Sequence, residues 1–198
     1  MENTKEYIGV LLEYLNGIKP MPEALEQTLI DCFQMQEIEK GSVLLREHDT
    51  CNHLWFLAKG LLRSYHFIGS KEITSRLMFT NHIVISAGSF FTQTSATETI
   101  EALASSTVLT LHFNSLQKIY EQFPEFNYQG RKITEHYFYQ QEQRLYMLRQ
   151  KNALEKYKYF LSHYENFLKE IPQKHIASFL SISPETLSRT RNKFRKNN

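Results

Sequence analysis

Basic side chains near the end of this chain have the composition that binds phosphate. Residues 169–198 contain seven Lys and Arg residues against two Glu, a balance of +5, whereas the whole chain carries +2. The remaining residues therefore sum to −3. Because phosphate attraction supplies most of the sequence-independent affinity for DNA, this segment is a candidate nucleic-acid contact. A solvated basic end without a partner is the alternative.

Two short helical patterns hold these charges. Ile176 and Leu180 lie on the apolar face of the first pattern, and Leu187 and Phe194 lie on that of the second. Between them, Ser183 is a favourable N-cap, and the proline that follows fits the first helical position. This arrangement is typical of a helix-turn-helix motif, whose second helix enters the major groove of DNA.

The bulk composition is that of a folded protein without a membrane span. At 198 residues and 41% hydrophobic content, the chain suits one or two domains with real cores. It has no run of 18 apolar residues and no signal-peptide pattern, so we expect a cytoplasmic protein. The two cysteines, Cys32 and Cys51, form no C-x-x-C motif and are either redox sensors or buried thiols.

Catalytic and cofactor signals are weak. A jelly-roll enzyme would need clustered metal ligands, whereas the histidines of the central region are dispersed. An iron–sulfur cluster would need about four cysteines, and the eight histidines show no spacing that indicates haem. We therefore expect no enzyme activity, no metal and no cofactor. The dispersed histidines are His48, His53, His66 and His82.

The pattern along the chain predicts an α+β protein. Helical periodicity occurs at residues 4–16 and 23–33, and again from 115 onward. Between residues 36 and 111, glycines separate short runs of β-branched and aromatic residues, which predicts a β-barrel or sandwich. These runs are 43–45, 54–57, 61–68, 73–79, 82–85 and 107–113. Two more helices are predicted, at about 126–150 and 152–169.

The helix predicted at 126–150 resembles an imperfect coiled coil. Ile133, Tyr137, Arg144 and Leu148 recur at intervals of four or seven residues along it. We expect these residues to form the seam of a homodimer, because helix-turn-helix proteins commonly bind DNA as two-fold dimers. A helix that packs on its own domain is the alternative.

The ordered combination of these elements resembles the Crp/Fnr family of bacterial transcription regulators. Residues 39–49 are similar to the opening β-turn segment of that family, and residues 54–65 to its next hairpin. Residues 183–189, Ser-Pro-Glu-Thr-Leu-Ser-Arg, are similar to its recognition-helix signature. The likeness covers nearly the whole chain and is strongest to the divergent regulators common in Bacteroidetes.

The resemblance implies a fold and partners. It predicts a cyclic-nucleotide-binding-like, jelly-roll-like sensor barrel at 1–125, a long dimerisation helix and linker at 126–151, and a winged-helix-like helix-turn-helix domain at 152–198. The implied partners are a second copy of the chain and double-stranded DNA with a two-fold operator. RNA polymerase is a further candidate, no membrane is expected, and the effector is unknown.

Two positions depart from the pattern of the family. The turn between the two terminal helices often holds glycine, and here it holds Ser181. His48 stands where an early turn of the barrel usually has glycine. If that position keeps a positive φ, histidine is among the better tolerated residues.

The resemblance assigns roles on the second terminal helix. Glu185 and Arg189 are carried over as base-reading residues, since Arg can bind guanine and Glu can accept from cytosine. Pro184 stands where the family often has a third base-reading residue. A solvent-exposed salt bridge between Glu185 and Arg189 is the alternative. Further candidate contacts to bases or phosphates are Ser183, Thr186, Ser188, Arg191, Lys193, Arg195 and Lys196.

Barrels of this family often bind cyclic AMP through a helix N-terminus, a Glu and an Arg. In this sequence, no Arg or Lys occurs between Arg76 and Lys118, and no Glu between Glu72 and Glu98. Ala96 stands near the position of the phosphate-binding Arg. Because an unneutralised buried phosphate is costly, we expect no tight cyclic nucleotide binding by the usual mode.

A different effector, or none, remains open. The candidate effector pocket consists of Ser89, Phe90, Phe91, Thr97 and Thr99. The alternative to a DNA-binding regulator is a protein that binds a cyclic nucleotide or another small molecule and does not read DNA.

Overall fold

A computed structural model describes residues 2–196, with side chains from Thr4 onward. Eight α-helices occur in the described part: α1 Glu2–Ile18, α2 Glu23–Cys32, α3 Ala87–Thr92, α4 Phe113–Gln122, α5 Asn127–Leu148, α6 Ala153–Tyr164, α7 Gln173–Phe179 and α8 Pro184–Lys196. Single 3₁₀ turns precede α5 and follow α6, at Pro124–Phe126 and Glu165–Phe167.

Eight strands form two four-stranded sheets. They are β1 Gln34–Ile38, β2 Val43–Leu45, β3 His53–Lys59, β4 Leu61–Ile68, β5 Lys71–Phe79, β6 His82–Val84, β7 Thr99–Ala102 and β8 Ser106–His112. The strand orders are β1-β8-β3-β6 and β2-β7-β4-β5. The pairs with resolved register are antiparallel, and Thr110 of β8 lies between Gln34 and Trp55. This is the jelly-roll-like barrel that the sequence predicts.

The main core lies in the barrel and under the first two helices. Leu11 of α1 and Leu25 and Leu29 of α2 are almost fully buried in one cluster with Phe56 and Phe90. Burial of a large apolar side chain contributes about 1.5–3 kcal/mol relative to exposure. The N-terminal helices are therefore an integral part of the barrel domain.

Two backbone positions in this domain show why particular residue types matter. Gly60 has φ +112, and a Cβ there would collide with Ser106. His48 has φ 76, so the turn keeps the left-handed conformation that we expected of a glycine position. The His48 amide donates to the Ala96 carbonyl at 2.8 Å, which fixes this turn against the loop before β7.

The described residues group into two compact units. The first contains residues 1–64 and 77–135, and the second contains residues 65–76 and 136–198. Strands β4 and β5 and helix α5 each contribute to both units. The outer part of the β4–β5 hairpin is thus grouped with the C-terminal helices.

Several predicted elements are confirmed, with local differences. Strands β2 and β4 have the predicted bounds. Strand β1 was not predicted, because three of its five side chains are exposed and polar and give no apolar signal. Helix α6 ends at Tyr164, shorter than predicted, because a 3₁₀ turn follows. No strand occurs in the described residues after His112, so no wing accompanies α7 and α8 there.

Candidate nucleic-acid interface

The turn between α7 and α8 is built by local hydrogen bonds. Ser183 caps α8, since its Oγ accepts from the Thr186 amide at 3.1 Å, as its sequence position predicts. Ser181 has φ 53, the left-handed conformation expected of the usual glycine. The Ile182 amide donates to the Ala177 carbonyl at 3.0 Å, which closes the end of α7 in the manner of a helix C-cap.

Helix α8 has one buried and one exposed face. Leu187 and Thr190 are buried, and the Phe194 ring lies 5.8 Å from that of Tyr157 on α6. The opposite face is polar and solvent-exposed. It carries Glu185, Ser188, Arg189, Asn192, Lys193 and Lys196. Residues at intervals of three and four share a helix face, so these side chains form one surface.

The two predicted base readers are available on that surface. Arg189 Nη2 lies 3.5 Å from Thr186 Oγ1, and no ion pair joins it to Glu185 among the described contacts. A hydrogen bond from the Ser183 hydroxyl lowers the pKa of Glu185, with further contributions from its backbone amide and the Arg189 charge. Glu185 is therefore an anion at neutral pH.

The other predicted contacts divide between two surfaces. Ser183 and Thr186 form the cap, and Ser188 and Lys193 lie on the exposed face. Arg191 and Arg195 instead line a groove of about 870 Å³ beside the 3₁₀ turn after α6. The sequence interpretation did not single out Asn192, although its spacing of three residues from Arg189 places it on the same face.

The residues predicted for the dimer seam make contacts within the chain. Ile133 packs against the core of the first unit, and Arg76 lies 5.4 Å from the Tyr137 ring. Arg144 donates to the backbone carbonyl of Phe179. Leu148 is half-buried. None of these four side chains lies on the most exposed face of α5.

A different apolar stripe of α5 is exposed. Phe138 and Leu145 lie seven residues apart, as do Tyr139 and Tyr146, so all four share one face. Their exposed fractions are 66%, 41%, 58% and 59%. Tyr146 continues this surface onto α6, where its ring lies 5.6 Å from that of Tyr159.

The predicted effector residues serve mainly to build the barrel. Ser89 Oγ accepts from the Cys51 amide at 2.8 Å and donates to the Thr94 carbonyl. Thr99 Oγ1 accepts from the Glu47 amide at 3.1 Å. Phe90 is buried in the core, whereas Phe91 and Thr97 are exposed. The five side chains therefore do not converge on one pocket.

An ion pair between a buried arginine and a partly buried glutamate lies on the second sheet of the barrel. Arg63 Nε of β4 and Glu101 Oε1 of β7 are 2.6 Å apart, and the Arg63 side chain is 3% exposed. Ala96, near the position of the phosphate-binding Arg of the resembled family, is buried and its amide donates to the Asp49 carbonyl.

Comparison with known proteins identifies the barrel. Residues 35–123, from β1 to the end of α4, match the family model described as the cyclic nucleotide-binding domain. This segment is therefore similar to cyclic nucleotide-binding domains. No curated protein sequence matches the chain at a significant level.

Solved structures resemble the chain beyond the cyclic nucleotide-binding domain. FixK2 from Bradyrhizobium japonicum is 16% identical with a TM-score of 0.74, over 83% of this chain and 85% of that one. A CooA mutant from Carboxydothermus hydrogenoformans is 22% identical with a TM-score of 0.69, over 94% and 84%.

A third solved structure carries the family name. This putative transcriptional regulator of the crp/fnr family from Eubacterium rectale is 20% identical with a TM-score of 0.68, over 89% and 85% of the two chains. At such identities the likeness establishes the fold. The resemblance to Crp/Fnr regulators is therefore confirmed for the architecture.

A groove of about 700 Å³ lies along β1 and β2 at the edge of the cyclic nucleotide-binding domain. His53, Trp55 and Thr110 line it, and Thr110 Oγ1 is buried without a hydrogen-bond partner. Burial, followed by the charge of His112, lowers the pKa of His53, which favours the neutral imidazole at pH 7. None of the predicted effector residues lines this groove.

Within residues 2–196, no group of three or more His, Cys, Asp or Glu side chains is arranged to hold a metal ion. No described helix is both long and apolar enough to cross a bilayer.

Proposed function

We propose that the protein is a homodimeric, DNA-binding transcription regulator of the Crp/Fnr type, in which α8 enters the major groove. The observation that carries this proposal is the polar face of α8. Arg189, Lys193 and Lys196 are exposed there, opposite the buried Leu187 and Thr190. An α-helix fits the width of the major groove, and such cations neutralise the flanking phosphates.

The same face supplies groups that distinguish bases. Arg189 can donate two hydrogen bonds to guanine, Asn192 can pair with adenine, and Glu185 can accept from cytosine N4. Ser183, Thr186 and Ser188 at the start of the helix suit contacts to bases or phosphates, and Arg191 and Lys193 suit phosphates. Because Pro184 has no donor, the operator should differ from that of a regulator with a base-reading side chain at this position.

The dimer is proposed to form through the exposed stripe of α5. Phe138, Tyr139, Leu145 and Tyr146 supply an apolar surface that a second copy would cover. Two copies related by a two-fold axis would present two α8 helices to a two-fold operator. RNA polymerase is a candidate partner of the DNA-bound dimer. Since the proposed ligand is chromosomal DNA, the proposed location is the bacterial cytoplasm.

The cyclic nucleotide-binding domain is proposed to lack the usual phosphate-binding residues. Ala96 is buried and its amide hydrogen-bonded, and Arg63 is held by Glu101. Freeing Arg63 for a ligand would break its ion pair with the partly buried Glu101 carboxylate, which is costly. The effector is therefore something other than a tightly held cyclic nucleotide, or the regulator acts without one.

The alternative is a small-molecule binding protein without DNA readout. The domain match at 35–123 and the groove along β1 and β2 favour it. The regulatory domain of the Toxoplasma gondii cyclic AMP-dependent kinase, solved with cyclic AMP, shares the barrel fold at a TM-score of 0.52 and 19% identity.

Selection of bound sequences from random DNA tests the proposal. The full-length protein should enrich a two-fold motif with half-sites about one helical turn apart. A variant with Arg189→Ala and Lys193→Ala, both exposed, should fold normally and enrich nothing. Equal recovery of all sequences by the unmodified protein would contradict sequence-specific regulation.

A further inference from the structure

Arg144 of α5 joins two segments that are distant in the sequence. Its Nη1 donates to the carbonyl of Phe179, the last residue of α7, at 3.1 Å. Its Nη2 donates to the carbonyl of Thr74, in the β5 part of the hairpin, also at 3.1 Å. The guanidinium lies 4.1 Å from the centre of the Phe179 ring. One side chain therefore contacts both the hairpin and the helix that supports α8.

The environment of Arg144 makes these contacts strong. Burial lowers its pKa to about 10, the Tyr164 hydroxyl opposes this shift, and the charge of Arg76 adds to it. No carboxylate forms an ion pair with Arg144 among the described residues. A partly buried cation without an anion depends on the carbonyls to which it donates hydrogen bonds. The C-terminal end of a helix is a favourable place for it, because the helix dipole is negative there.

A second cation binds the same end of α7. Lys156 Nζ of α6 lies 3.4 Å from the carbonyl of Leu180, the residue after Phe179. Helix α7 therefore ends against two cations, one from α5 and one from α6. This fixes the helix at the point where the turn into α8 begins.

Ser178 makes a separate connection between α7 and the hairpin. Its Oγ accepts from the Thr74 amide at 2.8 Å and donates to the Glu72 carbonyl at 3.1 Å. The two backbone groups of Thr74 are thus satisfied by Ser178 and Arg144. Because buried backbone groups need partners, the loss of these two hydrogen bonds on separation of α7 from the hairpin would be costly.

We infer that Arg144 is a positioning residue that holds the pair α7–α8 on the tip of the β4–β5 hairpin. The tip, residues 65–76, is continuous in the chain with strands of the cyclic nucleotide-binding domain. A change in that hairpin would therefore act directly on the helix that supports α8. The connection to DNA rests on the proposed function, whereas the contact itself does not.

Hydrogen exchange of the DNA-free, full-length protein tests the contact. Arg144→Met removes both hydrogen bonds and keeps the length of the side chain. Loss of hydrogen bonds from a charged donor should speed amide exchange by about tenfold or more at residues 65–76 and 173–183. The matched control is Arg149→Met, which removes an exposed charge one residue beyond α5. It should leave both segments unchanged.

Two results would overturn the inference. One is unchanged exchange in either segment of Arg144→Met, since a positioning role requires both to loosen together. The other is an equally large increase in amide exchange at the paired residues of β1 and β8 in the barrel, which would mean general unfolding. Ser178→Ala provides a milder variant that should loosen the same two segments even if Arg144→Met folds poorly.

DNA binding provides the second measurement. Arg144→Met should weaken binding to the selected operator by about tenfold or more, because α8 is no longer held in one orientation. If the unmodified protein fails to bind DNA, the proposed function fails while the exchange result still decides the contact. If binding is normal in Arg144→Met and exchange is unchanged, the positioning role fails while DNA binding stands.

Discussion

Arg189 is the exposed side chain of α8 best suited to read a base pair. A good bidentate contact from Arg to guanine contributes about 1–3 kcal/mol of discrimination. We therefore expect Arg189→Ala to reduce the preference for operator over random DNA by about tenfold or more. Fluorescence anisotropy with both DNA sequences measures this ratio.

Lys193→Ala is the control for that comparison, because it removes an exposed cation four residues away on the same face. A phosphate contact carries no sequence information, so this variant should weaken both complexes equally. If Arg189→Ala also weakened both complexes equally, base readout by Arg189 would be ruled out.

Ser181 shows how a residue can depart from the usual type without changing the fold. Its φ of 53 requires the left-handed conformation, which costs a residue with a Cβ about 1–2 kcal/mol. Glycine removes that cost but gains freedom in the unfolded chain. Ser181→Gly should therefore raise the free energy of unfolding by about 0.5 kcal/mol in chemical denaturation.

The control for Ser181→Gly is the same substitution at Ser162, which lies inside α6. Glycine within a helix is destabilising by about 0.5–1 kcal/mol, so Ser162→Gly should lower the same free energy. If Ser181→Gly lowered the free energy of unfolding as much as Ser162→Gly, the turn would not hold this conformation in solution.

At the scale of elements, α5 has two faces with different roles. Its inward face carries Ile133 and Arg144, which contact other parts of the same chain. Its outward face carries the apolar stripe proposed for the dimer. Sequence periodicity alone predicts a helix with a seam. It does not show which of two partly apolar faces packs against the rest of the same chain.

The stripe provides a direct test of the dimer. Phe138→Asp places a charge in the centre of the proposed interface, where it would be desolvated. We expect the protein to shift from dimer to monomer at micromolar concentration in analytical ultracentrifugation. His136→Asp, exposed on another face of α5, should remain dimeric. An unchanged dimer in Phe138→Asp would exclude this stripe as the interface.

Prediction from the sequence succeeds where the physical cause is local. The Ser183 cap, the proline after it and the apolar spacing of α8 all lie within a few residues of one another. The partners of Arg144 lie 35 and 70 residues away in the chain. No spacing rule connects them, so Arg144 was interpreted as part of a dimer seam.

At the scale of the molecule, a cyclic nucleotide-binding domain is combined with a basic terminal helix. The glycine-separated strand pattern predicts a barrel or sandwich, and the family resemblance narrows this to a jelly-roll-like barrel. The roles of its side chains are harder to predict from the sequence, since Ser89 and Thr99 hold loops in place rather than line a pocket. Hydroxyl side chains look alike in a sequence whether they bind a ligand or the backbone.

The proposed loss of the phosphate site leads to a prediction about ligands. If Ala96 stands in place of a cation, cyclic AMP and cyclic GMP should give no saturable heat in calorimetry at micromolar protein concentration. The reason is that an anion buried without a counter-charge is strongly disfavoured. A dissociation constant in the micromolar range or tighter would contradict the loss of this site.

The salt dependence of DNA binding tests the central proposal most directly. We expect α8 and its neighbours to neutralise about three phosphates per protomer. A plot of the logarithm of the dimer's binding constant against the logarithm of the salt concentration should then have a slope of about −5. Titrations of the full-length protein with a selected operator at several salt concentrations give this slope. A steep negative slope with saturable binding is the predicted result. No binding at low salt, or a slope near zero, would contradict a role in DNA recognition.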